Sequence, residues 1–398
     1  MPGPLDGIKI LDFTWALAGP YGVMILCDLG AEVWKVEAVG MTEPARGPGP
    51  MVDGINTYFF SVNRGKQSIE IDLKSERGRE LALSLAEQAD VVTENFRPGT
   101  MRDLGLDYDA VSARNPSIIY ASTSGFGQTG PYAGRGAVDV IVQAMSGIIS
   151  ITGHENGPPA RPGYSIGDMA GGMFTAIGVL GALVERQRSG KGQYVDVSML
   201  DSQVALLENA VVRYFATGEV PGRIGTRHPL VTPFQVFQTA DGALVIAGVK
   251  DWTLFCALIA RDELATDARF ANNTLRTANH ALLEPLLNEA FLAKTTADWI
   301  AELEQICLIA PLNTIDAMAA DPQVNARGMF VELPASNGKS YKVSASPVKY
   351  SRTPVEITAG ADAPGASTGR ILGTYLGLSA AEIQQLMADG VVGASGQG

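Results

Sequence analysis

Hydrophobic and polar positions alternate in short runs along the first two hundred residues of this 398-residue chain. Alternation with a period of two indicates strands, whereas apolar residues recurring every three or four positions indicate helices. The predicted strands are 8–12, 32–36, 68–72, 91–92, 117–121 and 194–198, and the predicted helices are 21–29, 75–88 and 199–217. Strands that alternate with helices predict an α/β fold, here a Rossmann-like large domain with a mainly parallel sheet.

The pattern changes after residue 217. Residues 218–225 are rich in glycine and proline, which indicates a linker. Two alternating runs then flank Asp241-Gly242, a strong signal for a β-hairpin. Helical patterns follow at 251–260, 279–292 and 296–307, and a last helix is predicted at 379–387 before a frayed tail. We therefore expect a large domain at 1–217, a linker with a smaller α+β domain at 218–329, and a final segment at 330–398.

Asp168 is the residue most indicative of chemistry. It follows Gly163-Tyr-Ser-Ile-Gly167 and precedes Met-Ala-Gly-Gly172 at the start of a long apolar run. Glycines allow another backbone or a ligand to approach closely, and a helix N-terminus stabilises negative charge. The segment thus predicts a carboxylate that a ligand can reach. The alternative is that Asp168 only caps the helix that follows.

Composition excludes several classes of partner. A formal net charge of −12 argues against nucleic acid and anionic membranes, because both select basic surfaces. The chain begins without a signal-peptide pattern, and the apolar run at 169–184 is expected to be too short to span a bilayer. Three widely spaced cysteines predict reduced thiols and a cytoplasmic location. Three histidines without metal-ligand spacing predict no metal site.

Two glycine motifs match patterns of other enzyme classes. Residues 125–130 satisfy the glycine spacing of dinucleotide-binding loops, but Pro131 follows and no helix opens there. We expect this loop to form a flexible wall of the site instead. Residues 163–167 match the nucleophile elbow of serine hydrolases with Ser165 at its centre. The preceding stretch, 157–162, is rich in proline and cannot form the central strand that an elbow requires.

Further stretches occur in a characteristic order along the first 240 residues. They include Leu5-Asp-Gly-Ile-Lys-Ile-Leu-Asp12, Leu29-Gly-Ala-Glu-Val-Trp-Lys-Val-Glu37, Asn63-Arg-Gly-Lys66, Glu94-Asn-Phe-Arg-Pro-Gly99 and Gly125-Phe-Gly-Gln-Thr-Gly-Pro131. Together with the Asp168 motif they make the chain resemble the class III CoA-transferase family, of the formyl-CoA and carnitine CoA-transferase (CaiB/BaiF) type.

The resemblance implies an activity and an assembly. Asp168 would be the covalent nucleophile that takes CoA from an acyl-CoA and passes it to a small carboxylic acid. The intermediates would be an aspartyl anhydride and an aspartyl-CoA thioester. No tightly bound cofactor is expected, since CoA and acyl-CoA are substrates. Residues 330–398 would return to the large domain, and two chains would interlock as a homodimer.

The resemblance also suggests residues that contact CoA. Arg64 and Lys66 are two cations beside a glycine, which suits a nucleotide phosphate, although a solvated basic turn is the alternative. Asn95 would bond an amide or the adenine, and Phe96 would pack on it, unless both only form a turn. Ala18 and Arg102 complete the CoA contacts that we predict.

On the acyl side the family pattern points to a second group of residues. It comprises Leu17, Gly125, Asp139, Arg227 and His228, although His228 could instead be a structural turn residue. Many members carry glutamine where this chain has Leu17, and that glutamine helps hold the acyl intermediate in the formyl-CoA branch. Leu17 therefore argues against formyl and oxalate substrates.

Three other functions are alternatives to CoA transfer. Racemases that share the fold carry histidine before the aspartate that aligns with Asp139, whereas this chain has Val138 and no histidine before His154. Racemisation is therefore disfavoured. A non-catalytic CoA-binding protein and a serine hydrolase are the remaining alternatives.

A dicarboxylic acid is the acceptor that we expect, with succinyl-CoA as donor, because several cations could meet a second carboxylate: Arg46, Arg161, Arg223, Arg227 and His228.

Overall fold

The computed structural model describes residues 3–41, 43–47 and 49–393. The chain divides into two compact units. The first comprises Met1–Ile148, Pro162–Gly218 and Arg327–Gly398, and the second comprises Ile149–Arg161 and Glu219–Ala326. The C-terminal segment thus belongs to the first unit. The sequence did not predict that the short segment Ile149–Arg161 would join the second.

The elements up to residue 217 are as follows. The strands are β1 (Lys9–Asp12), β2 (Glu32–Glu37), β3 (Met51–Val52), β4 (Ile55–Asn56), β5 (Gln67–Ile71), β6 (Val91–Glu94), β7 (Ile119–Ser124) and β8 (Gln193–Ser198). The helices are α1 (Ala18–Asp28), α2 (Thr57–Asn63), α3 (Glu76–Gln88), α4 (Thr100–Asp103), α5 (Tyr108–Arg114), α6 (Asp139–Ser146), α7 (Ile148–Ile151), α8 (Ile166–Ser189), α9 (Met199–Leu206) and α10 (Glu208–Thr217).

The remaining elements follow in chain order. The strands are β9 (Phe234–Gln238), β10 (Ala243–Val249), β11 (Cys307–Pro311), β12 (Phe330–Pro334), β13 (Ser340–Ser344) and β14 (Val392–Gly393). The helices are α11 (Trp252–Leu258), α12 (Glu263–Thr266), α13 (Asn273–Ala278), α14 (His280–Phe291), α15 (Thr296–Leu303), α16 (Ile315–Ala320), α17 (Pro322–Ala326), α18 (Thr368–Leu376) and α19 (Ala380–Ala388).

Most predicted elements of the first unit are confirmed, including the cap of α3, where the Ser75 hydroxyl accepts a hydrogen bond from the Gly78 amide at 3.0 Å. The predicted helix 199–217 is instead two helices, α9 and α10, that meet at Leu207. There the backbone N–H is shared between the carbonyls of Gln203 and Val204, which interrupts the regular ladder. Strand β11 and helix α18 were not predicted.

The central sheet of the first unit has the strand order β14-β5-β2-β1-β6-β7-β8. Every neighbouring pair is parallel except β14 with β5. Without the short edge strand β14, the order is that of a doubly wound Rossmann sheet, and it reverses between β1 and β6. The predicted α/β class with a mainly parallel sheet is therefore confirmed.

Both faces of this sheet are buried, as the chain pattern of a parallel sheet requires. Successive side chains of a strand point to opposite faces. Accordingly, Ile10 and Val91 belong to one hydrophobic cluster, whereas their neighbours Leu11 and Val92 belong to another. The two layers fix β1 and β6 at the centre of the unit, and they hold the carboxyl ends of these strands in place.

The second unit has its own core. Strands β9 and β10 form the predicted antiparallel hairpin around Asp241-Gly242, and β11 pairs with β10 on the other side. Helices α11 to α15 cover this sheet, and Phe237, Phe255, Phe291 and Trp299 are almost fully buried. This unit is thus a small antiparallel sheet with helices.

Helix α8 is longer than the sequence suggested. It has 24 residues, so its length and apolar composition alone would allow it to cross a membrane, which corrects the expectation that the run is too short. Half of the most apolar stretch of this helix is buried inside the protein, and the core helix of a protein without a membrane span has the same length and composition. Its close contact with α1, described below, accounts for part of that burial.

Candidate active site

A cavity of about 650 Å³ opens at the carboxyl ends of β1, β6, β7 and β8. Open parallel sheets bind ligands at this edge, where the strand order reverses. The segments that follow these four strands supply most of the wall. The cavity brings together seven of the predicted residues: Leu17, Ala18, Asn95, Phe96, Gly125, Asp139 and Asp168.

Asp168 lies in the first turn of α8 but does not cap it. The N-cap residue is Ser165, so Asp168 is the third residue inside the helix. Within the described part of the chain, no group donates a hydrogen bond to its carboxylate and no cation pairs with it. The capping alternative is therefore wrong, and the carboxylate remains available to a ligand in the cavity.

The environment of Asp168 favours its protonated form. Burial, and secondarily the negative charge of Asp139, raises the pKa of Asp168 to about 7. Burial acts because a carboxylate loses its hydration in a poorly polar site. A carboxyl group that titrates near neutral pH, in a cleft and without a structural partner, is typical of a functional site.

Asp139 performs the capping that Asp168 does not. It begins α6, and its Oδ1 accepts a hydrogen bond of 2.8 Å from the backbone N–H of Gly167, in the first turn of α8. Its Oδ2 accepts a bond of 2.6 Å from the side-chain amide of Gln143. Asp139 thus ties α6 to the start of α8 and sets the position from which Asp168 enters the cavity.

The glycines of α8 serve helix packing. A Cβ atom on Gly172 would come within 2.6 Å of the Ala18 carbonyl oxygen, and one on Gly22 within 2.5 Å of the Gly172 carbonyl oxygen. Both distances are impossible for real side chains, so glycine at these positions lets α1 and α8 touch backbone to backbone. The close approach predicted from sequence is therefore an approach of another helix, and it brings both helix N-termini to the cavity.

Residues 15–17, which we call the rim turn, lie between β1 and α1 and line the cavity. The Asn95 side chain binds the rim turn twice, accepting from the Trp15 N–H at 2.8 Å and donating to the Trp15 carbonyl at 2.9 Å. The ring of Phe96 lies 5.4 Å from that of Trp15. Because both the oxygen and the nitrogen of the Asn95 amide already bond the Trp15 backbone, the predicted hydrogen bond to CoA would have to use the second N–H of the nitrogen or the second lone pair of the oxygen.

Arg64 and Lys66 do not line the cavity. Both are buried, and each is paired with a buried carboxylate: Arg64 with Asp28 at 2.7 Å and Lys66 with Asp12 at 3.0 Å. Because only 2% of each residue is exposed, a CoA phosphate could reach them only if the surrounding structure moved, and the loss of either ion pair would leave a buried charge alone, which is strongly unfavourable. This placement corrects the expectation for both cations, whose role here is internal.

Arg102 lies in a neighbouring pocket of about 300 Å³. This pocket is also lined by Glu94, Tyr108 and Tyr194, and it shares Arg97 with the main cavity. Burial raises the pKa of Glu94 to about 7. Arg97 is therefore the cation at the junction of the two spaces, although it was not among the residues predicted to contact CoA.

The loop after β7 is held in place. Gly125 lines the cavity, and the Gln128 backbone N–H donates to both carboxylate oxygens of Asp196, at 3.0 and 3.2 Å. This anchoring differs from the flexible wall that we expected. No helix opens directly from the loop, since α6 begins only at Asp139.

Tyr58 and Arg135 are two further residues of the cavity wall that the sequence did not reveal. Burial first, and then the charges of Asp168, Glu43 and Asp139, raises the pKa of Tyr58 to about 12. Its phenol therefore stays protonated and can donate a hydrogen bond. Neither residue carries a motif, because only the tertiary fold brings α2 and the 125–138 loop beside Asp168.

Arg227 and His228 belong to the second unit. Arg227 pairs with Glu155 at 2.8 Å, and His228 Nδ1 accepts a hydrogen bond from the Leu230 N–H at 3.1 Å. The Arg46 guanidinium in the first unit is likewise engaged, with both oxygens of Glu37. Three of the cations expected to meet a second carboxylate thus have protein partners. Among the described residues, no cluster of three or more metal-ligating side chains is present.

These features define an α/β enzyme with a small-molecule cavity at the switch point of its sheet and a carboxyl group poised near neutrality. The chain matches the model of CoA-transferase family III over residues 5–368, and it belongs to that family. The predicted family and the predicted enzyme class are therefore confirmed.

Similar proteins agree with this membership. An acetyl-CoA:oxalate CoA-transferase from Acetobacter aceti is 44% identical over 334 residues, which cover 83% of this chain and 86% of the relative. A succinyl-CoA:glutarate CoA-transferase from Mus musculus is 36% identical over 393 residues, covering 98% and 90%. The crystal structure of a CAIB/BAIF family protein from Brucella suis is similar with a TM-score of 0.86 and 37% identity, and the match covers 94% of this chain and 100% of that one.

Proposed function

We propose that this CoA-transferase moves CoA from an acyl-CoA donor to a carboxylic acid with Asp168 as the covalent nucleophile. One observation carries the proposal: Asp168 is a carboxyl group in the cavity wall, without a hydrogen-bond or ion-pair partner among the described residues. Its pKa of about 7 leaves a substantial fraction ionised at neutral pH. Such a carboxylate is also more basic, and hence a better nucleophile, than an ordinary aspartate.

The proposed exchange has four steps. An Asp168 oxygen attacks the thioester carbonyl, the carbon–sulfur bond breaks, and CoA leaves as thiolate while a mixed anhydride of Asp168 and the donor acid forms. The thiolate then attacks the aspartyl carbonyl of the anhydride, which releases the donor acid and leaves an aspartyl-CoA thioester. The acceptor carboxylate attacks this thioester, which expels the thiolate again and forms a second mixed anhydride between Asp168 and the acceptor. In the last step the thiolate attacks the acceptor carbonyl and frees Asp168.

Each anhydride is opened by thiolate rather than water, so the energy of the thioester is conserved. Two features of the cavity wall support these steps. The first turn of α1, at Ala18, lies in the cavity wall, where backbone N–H groups have no partner within the helix and can stabilise an oxyanion. The protonated phenol of Tyr58 adds a side-chain donor to the same wall.

A dicarboxylic acid is the acceptor that we propose, with succinyl-CoA as the donor. Arg135 is a cation in the cavity wall and provides the charge that a second carboxylate needs. Two relatives are named for oxalate and for glutarate, both of them dicarboxylates. Oxalate stays among the candidate acceptors despite Leu17, since a relative named for oxalate is 44% identical.

We place the nucleotide part of CoA toward the neighbouring pocket. Arg97 and Arg102 offer two guanidinium groups for phosphates, and tyrosine rings line the same space. The pocket adjoins the Asp168 cavity through the shared residues Arg97 and Pro98. A chain of CoA that crosses this junction would bring its thioester to Asp168.

We also propose that two chains assemble as the interlocked homodimer that the family resemblance implies. Helix α10 has no buried residue, and it exposes 81% of Phe215 and 59% of Val212. Apolar side chains concentrated on one helix are typical of a surface that another chain covers.

The test of the proposal is intact mass after mixing the protein with a panel of acyl-CoA donors, followed by peptide mapping. We expect a CoA-sized adduct on Asp168 that hydroxylamine removes. Asp168→Ala should form no adduct and lose transfer activity by at least about 10⁴-fold, as for other covalent nucleophiles, while it still binds CoA.

Asp201→Ala is the matched control, because Asp201 is exposed in the first turn of α9 and lies outside the cavity wall. It should keep both the adduct and the activity. Transfer by Asp168→Ala would contradict the proposed nucleophile. Exchange of the α-proton of acyl-CoA with solvent deuterium, without an adduct, would instead indicate isomerisation.

A further inference from the structure

The rim turn has an unusual backbone. Ala16 adopts φ = 61°, in the left-handed region that side chains other than glycine rarely occupy. A conformation of this kind persists only when its surroundings over-determine it. Here the constraint comes from side chains: Asn95 binds Trp15 on both sides, and a Glu43 carboxylate oxygen accepts from the Ala16 N–H at 2.8 Å.

Beneath the rim turn lies a buried charged cluster of Asp12, Lys35 and Lys66, each at most 2% exposed. Asp12 Oδ1 accepts from the Thr14 N–H at 2.9 Å, and Lys35 Nζ donates to the Thr14 carbonyl at 2.7 Å. Both backbone groups of Thr14 are thus held by charged side chains that solvent does not reach.

Lys66 joins this cluster to the helix that follows. Its Nζ lies 3.0 Å from Asp12 Oδ2 and donates to the Pro20 carbonyl at 3.1 Å, inside the first turn of α1. The cluster therefore touches the chain just before the rim turn, through Thr14, and just after it, through Pro20. Between these two points lie the residues that face the cavity.

We infer that Asp12, Lys35 and Lys66 are positioning residues that fix the rim turn and the start of α1 against the Asp168 cavity. The inference rests on the proposed function, since the turn matters for catalysis only if the reaction occurs at Asp168. The cluster acts through backbone and touches no substrate. It also gives Lys66 a use other than the phosphate contact that its motif suggested.

A purely stabilising role explains the cluster less well. Buried charges lose their hydration, and apolar replacements of similar volume are often equally stable. The bonds of this cluster run to specific backbone atoms on both sides of the rim turn. In contrast, the Arg64–Asp28 pair, which is also buried, is a bidentate contact between two side chains. Asp12 therefore binds backbone next to the rim turn, whereas Asp28, in the same unit, binds only a side chain.

This difference supplies a matched experiment. Asp12→Asn and Asp28→Asn make the same chemical change, and each weakens a buried ion pair. We expect Asp12→Asn to slow formation of the Asp168–CoA adduct by about a hundredfold, because a shift of about 1 Å in a site can cost that much. The KM for acyl-CoA should stay close to that of the unaltered protein, which indicates a loss in the chemical step rather than in binding. Asp28→Asn should react at the rate of the unaltered protein when rates are expressed per folded molecule.

Hydrogen exchange gives a readout that does not depend on activity. The amides of Trp15 and Ala16 should exchange faster in Asp12→Asn, and not in Asp28→Asn. Lys35→Met is the milder second variant, because it removes only the bond to the Thr14 carbonyl and keeps the Asp12–Lys66 pair. It should show the same two effects in smaller measure if Asp12→Asn does not fold.

The outcomes separate the two proposals. If the unaltered protein forms no adduct with any donor, the proposed function fails, whereas the exchange data still report whether the cluster holds the rim turn. If the adduct forms at the same rate in Asp12→Asn, Lys35→Met and Asp28→Asn, and amide exchange at residues 15 and 16 is unchanged, the positioning role is wrong.

Discussion

At the scale of single residues, two effects oppose each other at Asp168. The N-terminus of α8 favours the carboxylate by at most about 2 kcal/mol in partly buried sites. Removal from water favours the neutral acid, and a pKa raised from 3.8 to about 7 corresponds to a cost of ionisation on the order of 4 kcal/mol. Burial therefore outweighs the helix dipole.

This balance predicts a pH dependence. The nucleophile is the ionised form, so the rate of adduct formation should rise by about tenfold per pH unit below 7 and level off above it. Asp139→Asn removes the second cause of the raised pKa while keeping an oxygen for the Gly167 amide. Its profile should therefore shift to lower pH, as measured by single-turnover rates between pH 5 and 9.

Glu94→Gln is the control for this profile, because burial also raises the pKa of Glu94 to about 7. If the midpoint belongs to Asp168, Glu94→Gln leaves it in place. A midpoint that moves with Glu94 and not with Asp139 would assign the titration to the neighbouring pocket.

At the scale of elements, the contact between α1 and α8 determines the geometry of the site. Both helices begin at the cavity wall and touch through Gly22 and Gly172. Small residues at a helix contact let the two axes approach more closely than larger side chains permit. The glycines near Asp168 therefore contribute to function through the distance between two helices.

Gly172→Ala should accordingly lower the free energy of unfolding by about 1–3 kcal/mol, the usual cost of overpacking. The added Cβ would meet the Ala18 carbonyl oxygen at 2.6 Å and the Gly22 nitrogen at 2.9 Å, and neither backbone atom can rotate away. Denaturant titration measures this loss.

Gly181→Ala on the same helix is the matched control, because a Cβ there meets nothing within 4 Å. It should stabilise the protein by about 0.5–1 kcal/mol, since alanine loses less backbone freedom than glycine in a helix. Equal effects at the two positions would mean that helix propensity, and not packing against α1, explains the glycines.

At the scale of the whole molecule, the chain builds two units with separate cores. It leaves the first unit for Ile149–Arg161, returns for Pro162–Gly218, and leaves again for Glu219–Ala326. The motif around Asp168 thus follows directly after a segment of the other unit.

The proposed homodimer makes a prediction at this scale. Light scattering should give the mass of two chains, and dilution without denaturant should not release monomers, because interlocked chains separate only when they unfold. Phe215→Ser should reduce the fraction that assembles as dimer when the protein is refolded from denaturant, since it removes apolar area from α10. Glu208→Gln, an exposed change on the same helix, should not. A monomer at all concentrations would contradict the assembly.

The sequence by itself determined much of this protein. Hydrophobic periodicity specified the strands of the parallel sheet because burial on both faces leaves a strong pattern, and the Asp241-Gly242 hairpin followed from turn chemistry. The order of short motifs identified the family, and the Asp168 segment identified a carboxyl group of the cavity wall. Strand β11 was missed because it directly follows a helical pattern and has a largely exposed outer edge.

Only the tertiary structure decided which polar residues face the cavity. Arg64 and Lys66 look like ligands for phosphate in a one-dimensional motif, yet the fold pairs both with carboxylates that are 36 and 54 residues away in the chain. Asp139, rather than Asp168, satisfies the N-terminus of α8, and Tyr58, Arg97 and Arg135 enter the wall from three different segments. Charge pairing and burial are properties of three-dimensional neighbours, so a local sequence pattern can name the residue types of a site but not the partners that each of them finds.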